Sequence, residues 1–67
     1  MITLSINGET RRFTAPLNVA ELVEQLAYTG KRIALERNGE IVPRSTFTHV
    51  RLADGDKIEV VVAVGGG

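Results

Sequence analysis

The chain has 67 residues, with eight basic and eight acidic side chains, a formal net charge of zero and no cysteine. That length holds one domain with one small core and leaves no room for a deep substrate pocket. Neutral charge argues against a nucleic-acid partner, and the missing thiols remove disulfides, a cysteine nucleophile and a thiolate metal site. The longest apolar run, Val60 to Val64, is too short to cross a bilayer. Met1 to Glu9 lacks the positive start and long apolar stretch of a signal peptide. A cytoplasmic protein without membrane contact is expected.

Ile2, Leu4 and Ile6 alternate with Thr3 and Ser5, which predicts a half-buried strand over Met1 to Ile6. Asn7-Gly8 is a hairpin signal, because both central residues of a type I′ turn need positive φ. Glu9 to Thr14 is then the returning strand, with Phe13 in the core and Arg11 and Arg12 marking a sheet edge. At Pro16-Leu17-Asn18 the apolar period changes. Asn18 reads as a helix N-cap, Glu21 completes a capping box, and Leu17 can staple onto Leu22. Val19, Leu22, Val23 and Leu26 form one buried helical stripe. Gly30 is expected to end the helix in a left-handed conformation, with Lys31 complementing the dipole there.

Arg32 to Arg37 carries Ile33, Ala34 and Leu35 and predicts a strand. Asn38-Gly39 repeats the hairpin signal, and Glu40-Ile41-Val42 is a short partner strand ended by Pro43. Arg44 to Val50 is irregular, with one helical turn around Phe47. Asp54-Gly55-Asp56 is a turn, and Lys57 to Val64 is the last strand. Ile58, Val60 and Val62 point one way, Glu59 and Val61 the other. Apolar side chains on both faces imply a central strand, or an outer face kept for a partner. One helix laid across such a sheet is an α+β layer pair.

Inside the domain no residue set supports catalysis. His49 has no second His or Cys beside it and reads as a surface residue. Asp54 and Asp56 belong to their turn, and Ser45 and Thr46 have no recognisable base. Gly8, Gly39 and Gly55 sit in turns rather than in a phosphate loop. Glu36, Arg37 and Arg44 are solvated charges by default. Without tryptophan a base-stacking surface is unsupported.

The chemical signal is in "EVVVAVGGG", Glu59 to Gly67. Gly65, Gly66 and Gly67 have no Cβ, so the chain there fits a slot as narrow as the backbone and leaves its terminal carboxylate unshielded. An ionised carboxylate is an oxygen nucleophile toward the α-phosphate of ATP. On the glycines alone, a frayed terminus and a working tail stand level.

The layout as a whole, a hairpin, a helix, a second hairpin and a last strand emptying into Gly-Gly, resembles the β-grasp, ubiquitin-like superfamily. Over its full length the chain resembles the ThiS family, the small sulfur carriers of thiamin biosynthesis. The stretches that carry the resemblance are the hairpin around Asn7, "VAELVEQL", "ALERNGEIVPR" from Ala34 to Arg44 and "LADGDKIEVVVAVGGG" from Leu52 onward. Three terminal glycines stand where the family minimum is two, which lengthens the arm and keeps glycine at its reactive end.

The resemblance implies a mixed sheet of four to five strands with one helix across it, a β-grasp domain over residues 1–64 and a flexible tail over 65–67. It implies a carrier rather than an enzyme. An E1-like adenylating enzyme (ThiF-type) using ATP and magnesium would activate Gly67. A persulfide donor would convert it to a thiocarboxylate, and thiazole synthase (ThiG-type) would take the sulfur. By analogy with ubiquitin-like folds, Val61 and Ala63 are docking candidates, with Glu59 and Arg44 as steering charges. Alternatives are a molybdopterin-pathway sulfur carrier, a ubiquitin-like modifier that attaches Gly67 to lysines, and a plain interaction domain with an inert tail.

Overall fold

Alternating side chains build two hairpins, and each turns on an Asn-Gly pair. In the computed structural model, which describes residues 1–63, β1 (Ile2–Ile6) pairs antiparallel with β2 (Glu9–Phe13). β3 (Ile33–Arg37) pairs antiparallel with β4 (Glu40–Ile41). The turn residues take positive φ as type I′ geometry requires: 50° and 83° at Asn7 and Gly8, 52° and 87° at Asn38 and Gly39. β5 (Lys57–Val62) lies between the hairpins, parallel to β1 and antiparallel to β3. The strand order is β2-β1-β5-β3-β4, so the last strand is central and the arginine-bearing β2 is an edge. The fold is α+β, with a mixed five-stranded sheet and one helix, as the layout of the sequence predicts. Val64, Gly65, Gly66 and Gly67 lie outside the described residues.

Ile2, Leu4 and Ile6 from β1, Leu35 from β3 and Ile58 and Val60 from β5 are buried on one face. Against them pack Val19, Leu22 and Val23 of α1 (Val19–Gln25). Phe13, Leu17, Val42, Phe47 and Leu52 close the margins of this core. Fully burying a Leu, Val or Ile side chain contributes about 1.5–3 kcal/mol. These side chains are therefore the main source of stability in so small a domain.

α1 has only seven residues, too short to stand in isolation. Its ends are held by specific hydrogen bonds. Asn18 Oδ1 accepts from the Glu21 N–H at 2.8 Å, and Glu21 Oε1 accepts from the Asn18 N–H at 2.9 Å, the expected capping box. The next two unpaired donors go to the crossing segment: Val19 N–H to Val50 O and Ala20 N–H to Phe47 O, both at 3.0 Å. The helix start thus fixes the irregular stretch that follows β4, which holds one 3-10 turn at Arg44–Thr46.

The helix ends earlier than the glycine position predicts. Its C-cap is Leu26, and the left-handed residue is Ala27 at φ 63°, not Gly30. The Tyr28 N–H donates to Val23 O and the Ala27 N–H to Glu24 O, each at 3.0 Å, which is a Schellman closure. Gly30 (φ 82°) belongs to the following turn, where the Lys31 N–H donates to Tyr28 O. Lys31 therefore lies beyond the last helical turn, which carries no basic residue. Alanine hides this end because it is the strongest helix former.

A left-handed alanine costs about 1–2 kcal/mol, part of which glycine returns as unfolded-state entropy. Ala27→Gly should therefore stabilise the domain by about 0.5–1 kcal/mol and raise Tm by about 2–6 °C in a calorimetric melt. A lower Tm would contradict the Schellman assignment.

Candidate functional site

The site is the end of β5 and what holds it. The ladder between β1 and β5 is short, registering only Ser5 with Lys57 and Ile6 with Ile58. β1 then turns away into its hairpin, and the side chain of Asn7 takes over. The Asn7 backbone N–H donates to Ile58 O at 2.9 Å. Its Oδ1 accepts from the Val60 N–H at 2.7 Å, and its Nδ2 donates to Val60 O at 3.1 Å. The carboxamide imitates one more residue of strand.

Asn38 does the same at the other end of β5. Its N–H donates to Lys57 O and its Oδ1 accepts from the Lys57 N–H, both at 2.8 Å. Its Nδ2 donates to Asp56 Oδ1 at 3.0 Å. Both Asn-Gly turns therefore grip the same strand from opposite sides. Turn chemistry places an asparagine at each position, but it does not reveal this second use of the side chains.

Asp56 is the buried polar residue of the domain's described part, 7% exposed. Besides Asn38, it accepts from the Ala53 N–H at 2.8 Å and from Arg37 Nε at 2.8 Å. Burial pushes its carboxyl up, but the Ala53 and Asn38 hydrogen bonds and the Arg37 guanidinium outweigh that and hold it below the ordinary value near 3.8. Asp54 reaches further than a local turn: its Oδ1 accepts from the Thr3 N–H, while the Gly55 N–H donates to Thr3 O at 2.8 Å. The Asp-Gly-Asp turn thus welds β1 to the start of β5.

The expected site residues fall in different places. Val61 is 64% exposed on the sheet face away from the helix, and Ala63 is exposed just past the strand, its N–H donating to Arg32 O at 2.8 Å. Glu59 is half-buried on the same outer face, with its carboxylate 3.9 Å from Lys57 Nζ. Arg44 stands apart on the helix side. Its guanidinium donates to Lys31 O at 3.2 Å and lines an open groove of about 290 Å³ floored by Val23, Ile33 and Phe47. Gly65, Gly66 and Gly67 lie outside the described residues. His49 is exposed, and among the described residues no group of three His, Cys, Asp or Glu is placed to hold a metal. No helix among them is long and apolar enough to cross a membrane.

Comparison with known proteins places this geometry. The model of the ThiS family matches residues 4–67. The chain is 47% identical over 64 residues to a thiazole synthase of Paramagnetospirillum magneticum, covering 96% of this chain and 20% of that protein. It therefore spans about a fifth of that relative's length. It is 32% identical over 65 residues to the sulfur carrier protein ThiS of Bacillus subtilis, covering 96% of this chain and 98% of that one. A crystal structure of the thiamine biosynthesis protein ThiS from Geobacter metallireducens superposes with a TM-score of 0.83 at 32% identity, over 98% of this chain and all of that one. The β-grasp fold expected from the layout is thereby established.

Because the carboxyl of Asp56 is held low when folded, its contribution is complete above the ordinary carboxylate range and is lost as pH falls through the lowered value. Acid urea titrations should show that decline, and Asp56→Asn should flatten it. At neutral pH the same substitution should cost about 1–3 kcal/mol. Parallel pH curves for the two proteins would count against the Asp56 clasp.

Proposed function

The chain belongs to the ThiS family, and from that we propose that it is a sulfur carrier for the thiazole ring of thiamin, with Gly67 as the residue modified. The observation that carries this reading is similarity over the whole chain to the sulfur carrier protein ThiS of Bacillus subtilis. A protein named thiazole synthase containing a region similar to nearly all of this chain supports thiazole synthase as the acceptor.

The chemistry follows from a carboxylate and two nucleophilic displacements. A carboxylate oxygen of Gly67 attacks the α-phosphorus of ATP on an E1-like enzyme, which also binds the magnesium, and pyrophosphate leaves. The acyl carbon of the adenylate is then open to sulfur. The terminal sulfur of a protein persulfide displaces AMP, and a second thiol takes the donor's own sulfur as a disulfide and frees the thiocarboxylate. Thiazole synthase accepts that sulfur, and the carboxylate is regenerated.

This chain contributes no acid, base or metal ligand to these steps. Its part is mechanical. A central strand gripped at Lys57 and Val60 holds the base of the arm in a fixed place, so a partner that recognises the domain also locates the reacting carbon. The exposed outer-face residues Val61 and Ala63, with Glu59 beside them, offer that recognition. Arg44 presents a separate cation on the helix side.

Incubation with the adenylating enzyme, ATP and a sulfur source should raise the mass of the chain by about 16 Da, one oxygen exchanged for sulfur, localised to Gly67 by fragmentation. No gain with an enzyme active on a known carrier would refute the reading. Deleting Gly67 should abolish the gain and leave the melting curve unchanged.

A further inference from the structure

The sheet face opposite the helix carries an electrostatic conflict. β3 and β5 are the most fully paired neighbours of the sheet, registered from Ile33–Val62 to Arg37–Ile58. In that register Glu36 sits directly opposite Glu59, and Ala34 opposite Val61. Directly opposed residues of an antiparallel pair project from the same face, and like charges so placed are destabilising. Ile41 lies opposite Glu36 on the other side. The two carboxylates are half-buried between Val61 and Ile41, each 64% exposed. The only cation bridging either of them among the described residues is Lys57, at 3.9 Å from Glu59 and with both side chains largely in solvent.

We propose that this face receives the adenylating enzyme through an arginine inserted between Glu36 and Glu59, with an apolar side chain of the enzyme seated on Val61 and Ala34. The inference rests on the carrier reading, in which an enzyme holds the domain while Gly67 reacts. Charge complementarity selects the partner. Two carboxylates across adjacent strands offer several acceptor oxygens to one planar guanidinium, whose five donors satisfy both; a lysine ammonium is a single point charge. A second copy of this chain is disfavoured, since a two-fold contact through this face would bring four carboxylates together. A polyanion is excluded by the same charge. The apolar residues on either side would shield the ion pair from water, which raises its worth.

The test compares Glu36→Gln/Glu59→Gln with the parent chain and with Glu24→Gln, an exposed carboxylate on the helix. The double variant should fold with a Tm no lower than the parent's, because the repulsion is gone. Its Kd for the adenylating enzyme should weaken about tenfold or more, with a shallower dependence on salt. The rate of sulfur loading at saturating enzyme should stay the same. Glu24→Gln should bind like the parent. Unchanged affinity of the double variant, while the parent loads sulfur normally, overturns this inference alone. Self-association of the parent that disappears in the double variant overturns it in favour of a second copy. Failure of the parent to load sulfur at all removes the carrier reading and this inference together.

Discussion

Everything in the domain depends on how β5 is kept in the middle of the sheet. Backbone pairing with β1 covers only two register positions, and by itself that is a weak seam for a central strand. The seam is completed by side chains acting as backbone. Asn7 supplies a donor and an acceptor to Val60, Asn38 supplies an acceptor to Lys57, and Asp56 ties Asn38, Arg37 and Ala53 into one buried cluster. Each of these groups is satisfied; no buried side-chain nitrogen or oxygen among the described residues lacks a partner.

From that constraint the division of labour follows. The helix face is spent on the core, and both hairpin turns are spent on β5. What is left for other molecules is the outer face of the sheet and the segment that β5 leads into. A domain so built has rigidity and a surface but no constellation of acids, bases or ligands of its own. That fits a family whose members are acted upon, and it matches the family's solved fold over nearly the entire chain.

Much of this was legible beforehand because period and turn chemistry are local. Strict alternation at Ile2, Leu4 and Ile6 located β1, and the Asn-Gly pairs located both hairpins. Asn18 with Glu21 located the helix start to the residue. The helix end was not legible, since an alanine took the left-handed position that glycine usually marks. Nor was the clamp, because a side chain reaching 53 residues along the chain leaves no local signature. The carboxylate pair at Glu36 and Glu59 was equally hidden: two glutamates 23 positions apart become neighbours only once the register of β3 against β5 is known. Of the docking candidates, Val61, Ala63 and Glu59 share a face because strand parity is readable, while the separate position of Arg44 needed the tertiary fold.

The parallel seam between the first and last strands also dictates the order of folding. Ser5 waits for Lys57 and Ile6 for Ile58, so the sheet has a gap at its centre until almost the whole chain has left the ribosome. Neither hairpin can bury its apolar face completely before then, and the closing loop is nearly as long as the domain. Folding is therefore post-translational and close to all-or-none. The strand that delivers the terminal segment is the same one that finishes the domain, so an incompletely folded copy has no ordered outer face to present.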